Sequence, residues 1–432
     1  MRRRQQPRRG RIVNRRTVIR AGAALGASVV AGCVGDPDDD EPAPEGDDSR
    51  ADDADDAVDD DPPETDDEDD VVEYAVETVA DGLAHPWAIA FLPGDDRLLV
   101  TEREGRLTVV DPTEGTVEAV EGVPDVHAEG QGGLLDVAFH PEFPDDPRIY
   151  LTYSIENDEG ESTTALGRGE LDSDGATLDG FEQLHAAEPF VDSNGHYGSR
   201  VVVGEDDHLY VTVGDRQDKA FDDHVSQDTT NELGTTLRLA LDGSVPEDNP
   251  FVDDDEVLDT IYSYGHRNAQ GMTVHPGTGT LWQSEHGEED GDEINVIDGG
   301  GNYGWPVATY GCEYGTDEPV GEEPPDREDT VDPVYYWECG SGGFPPAGMT
   351  FYDGEAFPGW EGDLFVGNLA GQYLGHFTVD GEQREEIEVE EVDPLLGDEG
   401  WRVRDVAVEP GTGYLYVVVD DGDAPIVRLV PA

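Results

Sequence analysis

The sequence predicts an all-β fold, a six-bladed β-propeller, and three observations carry that prediction. A unit built of a short alternating apolar strand, a turn rich in Pro, Gly or Asp, and a second apolar strand occurs six times in 432 residues, starting at residues 87, 135, 200, 271, 348 and 404. That spacing leaves room in each repeat for a four-stranded sheet plus loops. No long segment carries apolar residues at the helical period, and 54 glycines with 29 prolines supply the many turns that a strand-rich chain needs.

The units can be taken in order. The first, 87–101 (WAIAFLPGDDRLLVT), turns on Pro-Gly-Asp-Asp, and the second, 135–153 (LDVAFHPEFPDDPRIYLTY), has a longer proline-rich turn. The third, 200–214 (RVVVGEDDHLYVTVG), turns on Gly-Glu-Asp-Asp. The fourth, 271–284 (GMTVHPGTGTLWQS), and the sixth, 404–419 (RDVAVEPGTGYLYVVV), share the turn Pro-Gly-Thr-Gly, and the fifth, 348–367, opens GMTFYDG and returns on GDLFVG. Alternation with period two gives each hairpin two distinct faces, and no single hairpin can bury both. Stacking around a ring buries them and removes most exposed strand edges, whereas a pair of packed sheets leaves six similar units unexplained.

The chain falls into three segments of different charge. Residues 1–33 hold nine arginines and no acid, and Asn14-Arg15-Arg16-Thr17-Val18-Ile19-Arg20 precedes a mild apolar run too short to span a bilayer. This arrangement resembles a twin-arginine export signal, and Val30-Ala31-Gly32-Cys33 resembles a lipobox whose Cys33 becomes the lipidated first residue. Residues 34–70 contain 21 acids, one arginine and no aromatic residue, so they cannot bury enough surface to fold and read as an extended, disordered acidic linker. The expected organisation is anchor, stalk and a propeller domain over 71–432, exported by the Tat pathway and lipid-anchored to the outer face of the cell membrane.

Acidity pervades the rest. The chain has 102 Asp+Glu against 25 Lys+Arg, a net charge of −77, and Lys219 is its only lysine. Residues 71–432 still stand near −66, with 81 acids and 15 bases. This excludes a nucleic-acid binder that works by neutralising phosphates. An excess of carboxylates with almost no lysine suits a surface kept hydrated in concentrated salt, where self-repulsion is screened, and reads as haloarchaeal. Cys312 and Cys339 lie 27 residues apart in Gly- and Pro-rich surroundings, and in an oxidising compartment a loop-closing disulfide is favoured over two free thiols or a zinc site.

Ligands of propellers bind at one mouth of the central channel, so the polar residues flanking the repeats are the informative ones. Gly130-Gln131-Gly132-Gly133 precedes the second unit, and Asn194-Gly195-His196-Tyr197-Gly198-Ser199-Arg200 leads into the third. Tyr264-Gly265-His266-Arg267-Asn268 offers a guanidinium and an amide side by side, suited to an anionic, carbonyl-rich ligand. Residues 284–293 combine carboxylates with glycines, a pattern of hard oxygen donors open to calcium or to plain solvation. Arg402 and Arg404 alternate on one face of a strand.

In sequence order, the stretches GQGGLLDVAFHP, GHYGSR, YVTVGDR, SYGHRNAQG, LWQSEHG, GDEINVI, GGNYGWP and RVRDV resemble the soluble quinoprotein sugar dehydrogenases, the glucose/sorbosone dehydrogenase family and especially its aldose sugar dehydrogenase branch. The resemblance covers nearly all of residues 75–430. It implies a six-bladed propeller that binds pyrroloquinoline quinone (PQQ) and calcium, oxidises an aldose sugar at C1 to the lactone, and passes electrons to an external acceptor. His196 matches the catalytic base that takes the C1 hydroxyl proton as hydride passes to the quinone. Arg267 matches the residue that stabilises charge on the quinone oxygen, and Gln131, Arg267, Asn268, Arg402 and Arg404 match positions that hold the quinone. The carbonyls of Gly287 and Glu288 match ligands of a catalytic calcium, and Asp292, Glu293 and Tyr303 match a structural calcium site. Two departures stand out: a quinone-contacting lysine of glucose-oxidising members falls near Ala370, and the acidic residue before the catalytic histidine is Gly195, with Asp192 three residues earlier. The competing readings are a calcium-dependent propeller lactonase, whose metal sits deep in the channel, and a non-catalytic surface propeller that binds a glycan or protein. Neither gives the arginine set a role.

Overall fold

Six antiparallel sheets follow one another around a ring, and each of the six sequence units forms the two innermost strands of one sheet. The computed structural model describes residues 11–12 and 72–432, apart from 173–174 and 382; the expected export segment and acidic linker otherwise lie outside the described residues. The innermost strands of blades 1 to 6 are Pro86–Phe91, Leu134–Phe139, Val201–Val203, Ala269–Val274, Pro346–Phe351 and Val403–Val408. Each touches the next around a closed circle. Among the described residues the helical elements are four three-residue 3-10 turns, and no helix is long and apolar enough to cross a membrane.

Blade 1 illustrates how the strands grade outwards. Leu98–Glu102 is buried throughout, Arg106–Asp111 nearly so, and the outer strand Thr116–Ala119 is exposed. The ring closes through its ends: Tyr74–Leu83 forms an outer strand of blade 6, running antiparallel to Ala424–Pro431 with Tyr74 opposite Pro431, and Arg11–Ile12 pairs on its far side.

The core lies between blades. Leu98, Val100 and Val110 of blade 1 meet Tyr416 and Val418 of blade 6, and Leu99, Leu107 and Val109 meet Val137, Ile149 and Leu151 of blade 2. Both faces of each inner hairpin are thereby taken out of water, which a period-two apolar pattern requires. Cys312 and Cys339 form a disulfide with their Cα atoms 5.6 Å apart, closing the long excursion of blade 4.

The channel is sealed part-way down by charge. Arg200, at the head of the blade 3 inner strand, lies between Asp136 of blade 2 (3.3 Å) and Asp405 of blade 6 (3.2 Å), donates from Nε to the Gln270 carbonyl of blade 4 (2.6 Å), and sits 4.2 Å over the Trp87 ring of blade 1. Gly348 of blade 5 leaves space here that a side chain would fill, since a Cβ would fall 1.6 Å from Asp405 Oδ1. The Arg200 contacts join five blades, and Gly348 lets the sixth approach them closely. Beyond this plug a cavity of about 370 Å³ opens between the inner strands, lined by Met272, Met349, Phe351 and Val406 among others.

Candidate active site

The residues singled out before each repeat collect at the end of the ring where chains enter the innermost strands. His196 lies on the connection into blade 3 with φ +48°, an uncommon conformation for a side-chain-bearing residue. Its N–H donates to Gln131 Oε1 at 2.7 Å, and Gly198, at φ +63° against Thr212 and Gly214, leaves no room for a Cβ. Gly198 N–H in turn donates to Asn268 Oδ1 at 3.1 Å. Gln131 and Asn268, expected as ligand contacts, thus also brace the histidine loop.

The acidic partner missing before His196 comes from elsewhere. Asp215, just past the second strand of blade 3, places Oδ1 2.6 Å from His196 Nδ1. Its Oδ2 accepts from Trp305 Nε1 at 3.0 Å, and its backbone N–H donates to the Arg267 carbonyl at 2.8 Å. A carboxylate at Nδ1 selects the tautomer with its proton there and leaves Nε2 as an acceptor. Burial lowers the His196 pKa from 6.5; Asp215 opposes this, and the positive charges of Arg267 and Lys219 add to it. The ring is therefore neutral at neutral pH.

Arg267 is buried. Its N–H donates to Glu285 Oε2 at 2.7 Å and its Nη2 to Glu288 Oε2 at 2.6 Å, while its Nε has no partner. Arg404, also buried, donates to Gln270 Oε1 at 2.8 Å and to Asp420 Oδ2 at 3.2 Å. Burial brings its pKa down to about 10, with Asp420 opposing. Arg402, 43% exposed, reaches the same Asp420 oxygen at 3.4 Å and the Leu369 carbonyl at 3.3 Å, next to exposed Ala370. The one-face placement read from the sequence is what lets Asp420 serve both arginines. Arg103 lies nearby, donating to the Gly130 carbonyl with its Nε buried and unpaired.

The acidic loop divides its carboxylates. Asp292 accepts from Gly287 N–H at 3.0 Å and Phe344 N–H at 2.7 Å, and burial pushes its pKa up to about 6. Glu293 turns instead to Asn295 (3.3 Å) and to Glu285, its cross-strand partner, so burial and that like charge raise its pKa well above the ordinary value. Tyr303 stacks on His266 at 4.7 Å and donates its hydroxyl to the Val296 carbonyl, so a metal bond from this residue would come through its carbonyl. Among the described residues, a His/Asp/Glu trio with ligand atoms within 4.8 Å of one another is His140, Glu142 and Asp146, on the turn of the second hairpin, where Arg148 already pairs with Asp146.

Sequence reading missed Asp215 and Asp420 as parts of the site, and it placed Glu285 and Trp305 in its clusters without giving either a role. Asp215 is the second-last residue of the YVTVGDR stretch, and that was its only signal. His286, beside Gly287, stood in the same cluster as Glu285 and was likewise given no role; burial and the nearby cations Arg267 and Arg404 bring its pKa down to about 3, and its Nε2 has no hydrogen-bond partner.

One mouth of the propeller thus carries a neutral, carboxylate-oriented histidine beside buried arginines. Residues 83–428 match the family described as Glucose / Sorbosone dehydrogenase, and the chain belongs to it. It is 37% identical over 361 residues to the aldose sugar dehydrogenase YliI of Escherichia coli (strain K12), covering 82% of this chain and 92% of that protein. The solved apo-form structure of the soluble aldose sugar dehydrogenase from Escherichia coli aligns with TM-score 0.75 and 37% identity over 83% of this chain and all of that one. The PQQ-bound aldose sugar dehydrogenase from Streptomyces coelicolor aligns with TM-score 0.66 and 29% identity over 83% and 98%.

Proposed function

We propose that this chain oxidises an aldose at C1 to its lactone, with PQQ and calcium held at the mouth that carries His196. The observation that supports it most is the His196–Asp215 contact of 2.6 Å, which orients a base that burial keeps neutral, set against Arg267 through the 2.8 Å bond between Asp215 N–H and the Arg267 carbonyl.

The residues present fit the cofactor and the metal. Arg267, Arg402, Arg404, Arg103 and Lys219 gather at one mouth of a domain near −66, and the Nε atoms of Arg267 and Arg103 are buried without partners, as an anionic ligand would require. The carbonyls of Gly287 and Glu288 are hard oxygen donors suited to calcium, as are Asp292 and Glu293. PQQ, when bound, supplies the two-electron acceptor for the hydride from C1. His196 accepts the hydroxyl proton at Nε2, and Asp215 stabilises the imidazolium so formed. Arg267 offers donors to negative charge that develops beside it. A lactonase metal deep in the channel would meet the guanidinium of Arg200, which argues against that reading.

The test is reconstitution in molar salt with calcium and PQQ, following aldose-dependent dye reduction; no activity with any aldose overturns the proposal. Arg404→Ala should raise the PQQ dissociation constant about tenfold or more, and an unchanged constant removes Arg404 from the site. Asp215→Asn should lower kcat about 100-fold. Because the His196 pKa lies below 6.5, activity of the unaltered protein should persist at pH 6.5 and fall only at lower pH. Asp215 raises that pKa, so its replacement should move the acid limb of the profile further down; an upward move contradicts the assigned role. We also propose export and lipid anchoring through Cys33, with electrons leaving to a membrane-linked acceptor. Cys33→Ser should release the protein into the medium, and retention on the membrane refutes the anchor.

A further inference from the structure

Glu288 combines three properties. It lies on a loop yet is 6% exposed, it is held by two cations from separate connections, and those are cations that the proposed cofactor site needs. Arg267 Nη2 donates to its Oε2 at 2.6 Å, and Lys219, the chain's only lysine, is hydrogen-bonded to both of its oxygens. Lys219 is 53% exposed and lies 5.5 Å from the Tyr314 ring, so the triad runs from the solvent rim down to the buried guanidinium. One carboxylate thereby neutralises two of the 15 bases in the domain. Its partner Arg267 keeps an unpaired, buried Nε, so its donors are only partly used.

We propose that the Glu288 carboxylate is an internal stand-in for the anionic group of the ligand: it holds the anion position between Arg267 and Lys219 and sets the affinity and loading rate of the cofactor. The physical ground is competition. A second anion brought to Arg267 meets the Glu288 charge at close range in a poorly solvated place, so it binds only as Glu288 swings away or is outweighed by other contacts. The surplus of the binding free energy over that displacement is what appears as affinity. Glu288 in this role is a positioning residue, distinct from the use of its carbonyl toward a metal. The inference rests on the PQQ reading for the identity of the ligand, but the competition itself concerns any planar polycarboxylate.

The experiment uses the full chain and the variants Glu288→Gln and Glu288→Ala, with thermal melting to establish that each is folded. Two probes are titrated by tryptophan fluorescence and stopped-flow mixing at fixed salt: PQQ, and benzene-1,2,4-tricarboxylate, which has no redox chemistry. Both variants should bind both probes at least tenfold more tightly than the unaltered chain, with faster association. If PQQ binds but neither its dissociation constant nor its association rate changes in the variants, the proposal is overturned. It is also overturned if the variants bind the tricarboxylate no better than the unaltered chain. Tightening toward the tricarboxylate with no PQQ binding to any form supports the anion competition and removes the PQQ reading instead.

Discussion

His196→Ala should lower the turnover of aldose oxidation by roughly 10³-fold, within the range expected for loss of a positioned general base, while the PQQ dissociation constant stays within about threefold of the unaltered protein. The asymmetry follows from the geometry. His196 is held by Asp215 at Nδ1 and by Gln131 at its backbone N–H, and burial together with Arg267 and Lys219 keeps it neutral. These arrangements prepare Nε2 to accept a proton and contribute little to holding an anion. The charged contacts come from Arg267, Arg402 and Arg404, which the substitution does not touch. Steady-state dye reduction beside a fluorescence titration separates the two quantities. Equal losses in binding and turnover would show that His196 holds the ligand rather than moving the proton, and unchanged turnover would remove it from the chemistry.

Arg200→Met should cost about 3–5 kcal/mol of stability, the range for breaking a buried ion pair from one side. That is a large part of the 5–15 kcal/mol by which a typical domain is stable. The side chain is buried, and it contacts Asp136, Asp405, Gln270 and Trp87 on four different blades. Without it two carboxylates face each other in the channel. Burial already pushes Asp136 up to about 6 and raises Asp405, and in both cases Arg200 is the main opposing influence. Its loss drives both pKa values higher. A carboxyl whose folded pKa exceeds its unfolded value destabilises once ionised, so the deficit should be full above the raised values and shrink as the pH falls through them toward 6. Denaturant unfolding at pH 8 and pH 5.5 checks both size and sign. A deficit under 1 kcal/mol, or one that grows in acid, contradicts the account.

The sequence made the inner half of the propeller legible because the inner strands are where period-two burial is strongest. Leu98–Glu102, Leu281–Glu285 and Leu415–Val419 are buried at every position, and all but Glu102 and Glu285 of these residues lie in the six recognised units. The outer strands escaped: Thr116–Ala119 and Glu388–Glu391 are mostly exposed, read as TVEA and EVEE, and carry no apolar pattern to detect. The placement of Tyr74–Leu83 as an outer strand of the last blade is set by pairing with Ala424–Pro431, some 340 residues away, which no local window contains. In the site, residues with unusual local signals were found, namely His196, Arg267 and Arg402/Arg404. Asp215 and Asp420 were not, because in a chain with 102 acids a single aspartate is unremarkable until the fold brings it to a histidine or an arginine pair. The expected calcium set shows the same limit in reverse: Asp292 and Glu293 are neighbours in sequence, yet the strand that begins at Glu293 turns the latter toward Glu285 and leaves Asp292 with Gly287 and Phe344.

The central claim is that this mouth oxidises an aldose with a tightly held two-electron acceptor and His196 as base. It is tested most directly by mixing calcium- and PQQ-loaded protein with excess aldose, without oxygen or any external acceptor, and measuring the lactone formed. The account predicts about one lactone per chain, formed at once and then no more, and almost none over the same interval from loaded His196→Ala. Absence of lactone from the unaltered protein, or an equal burst from the variant, would contradict it.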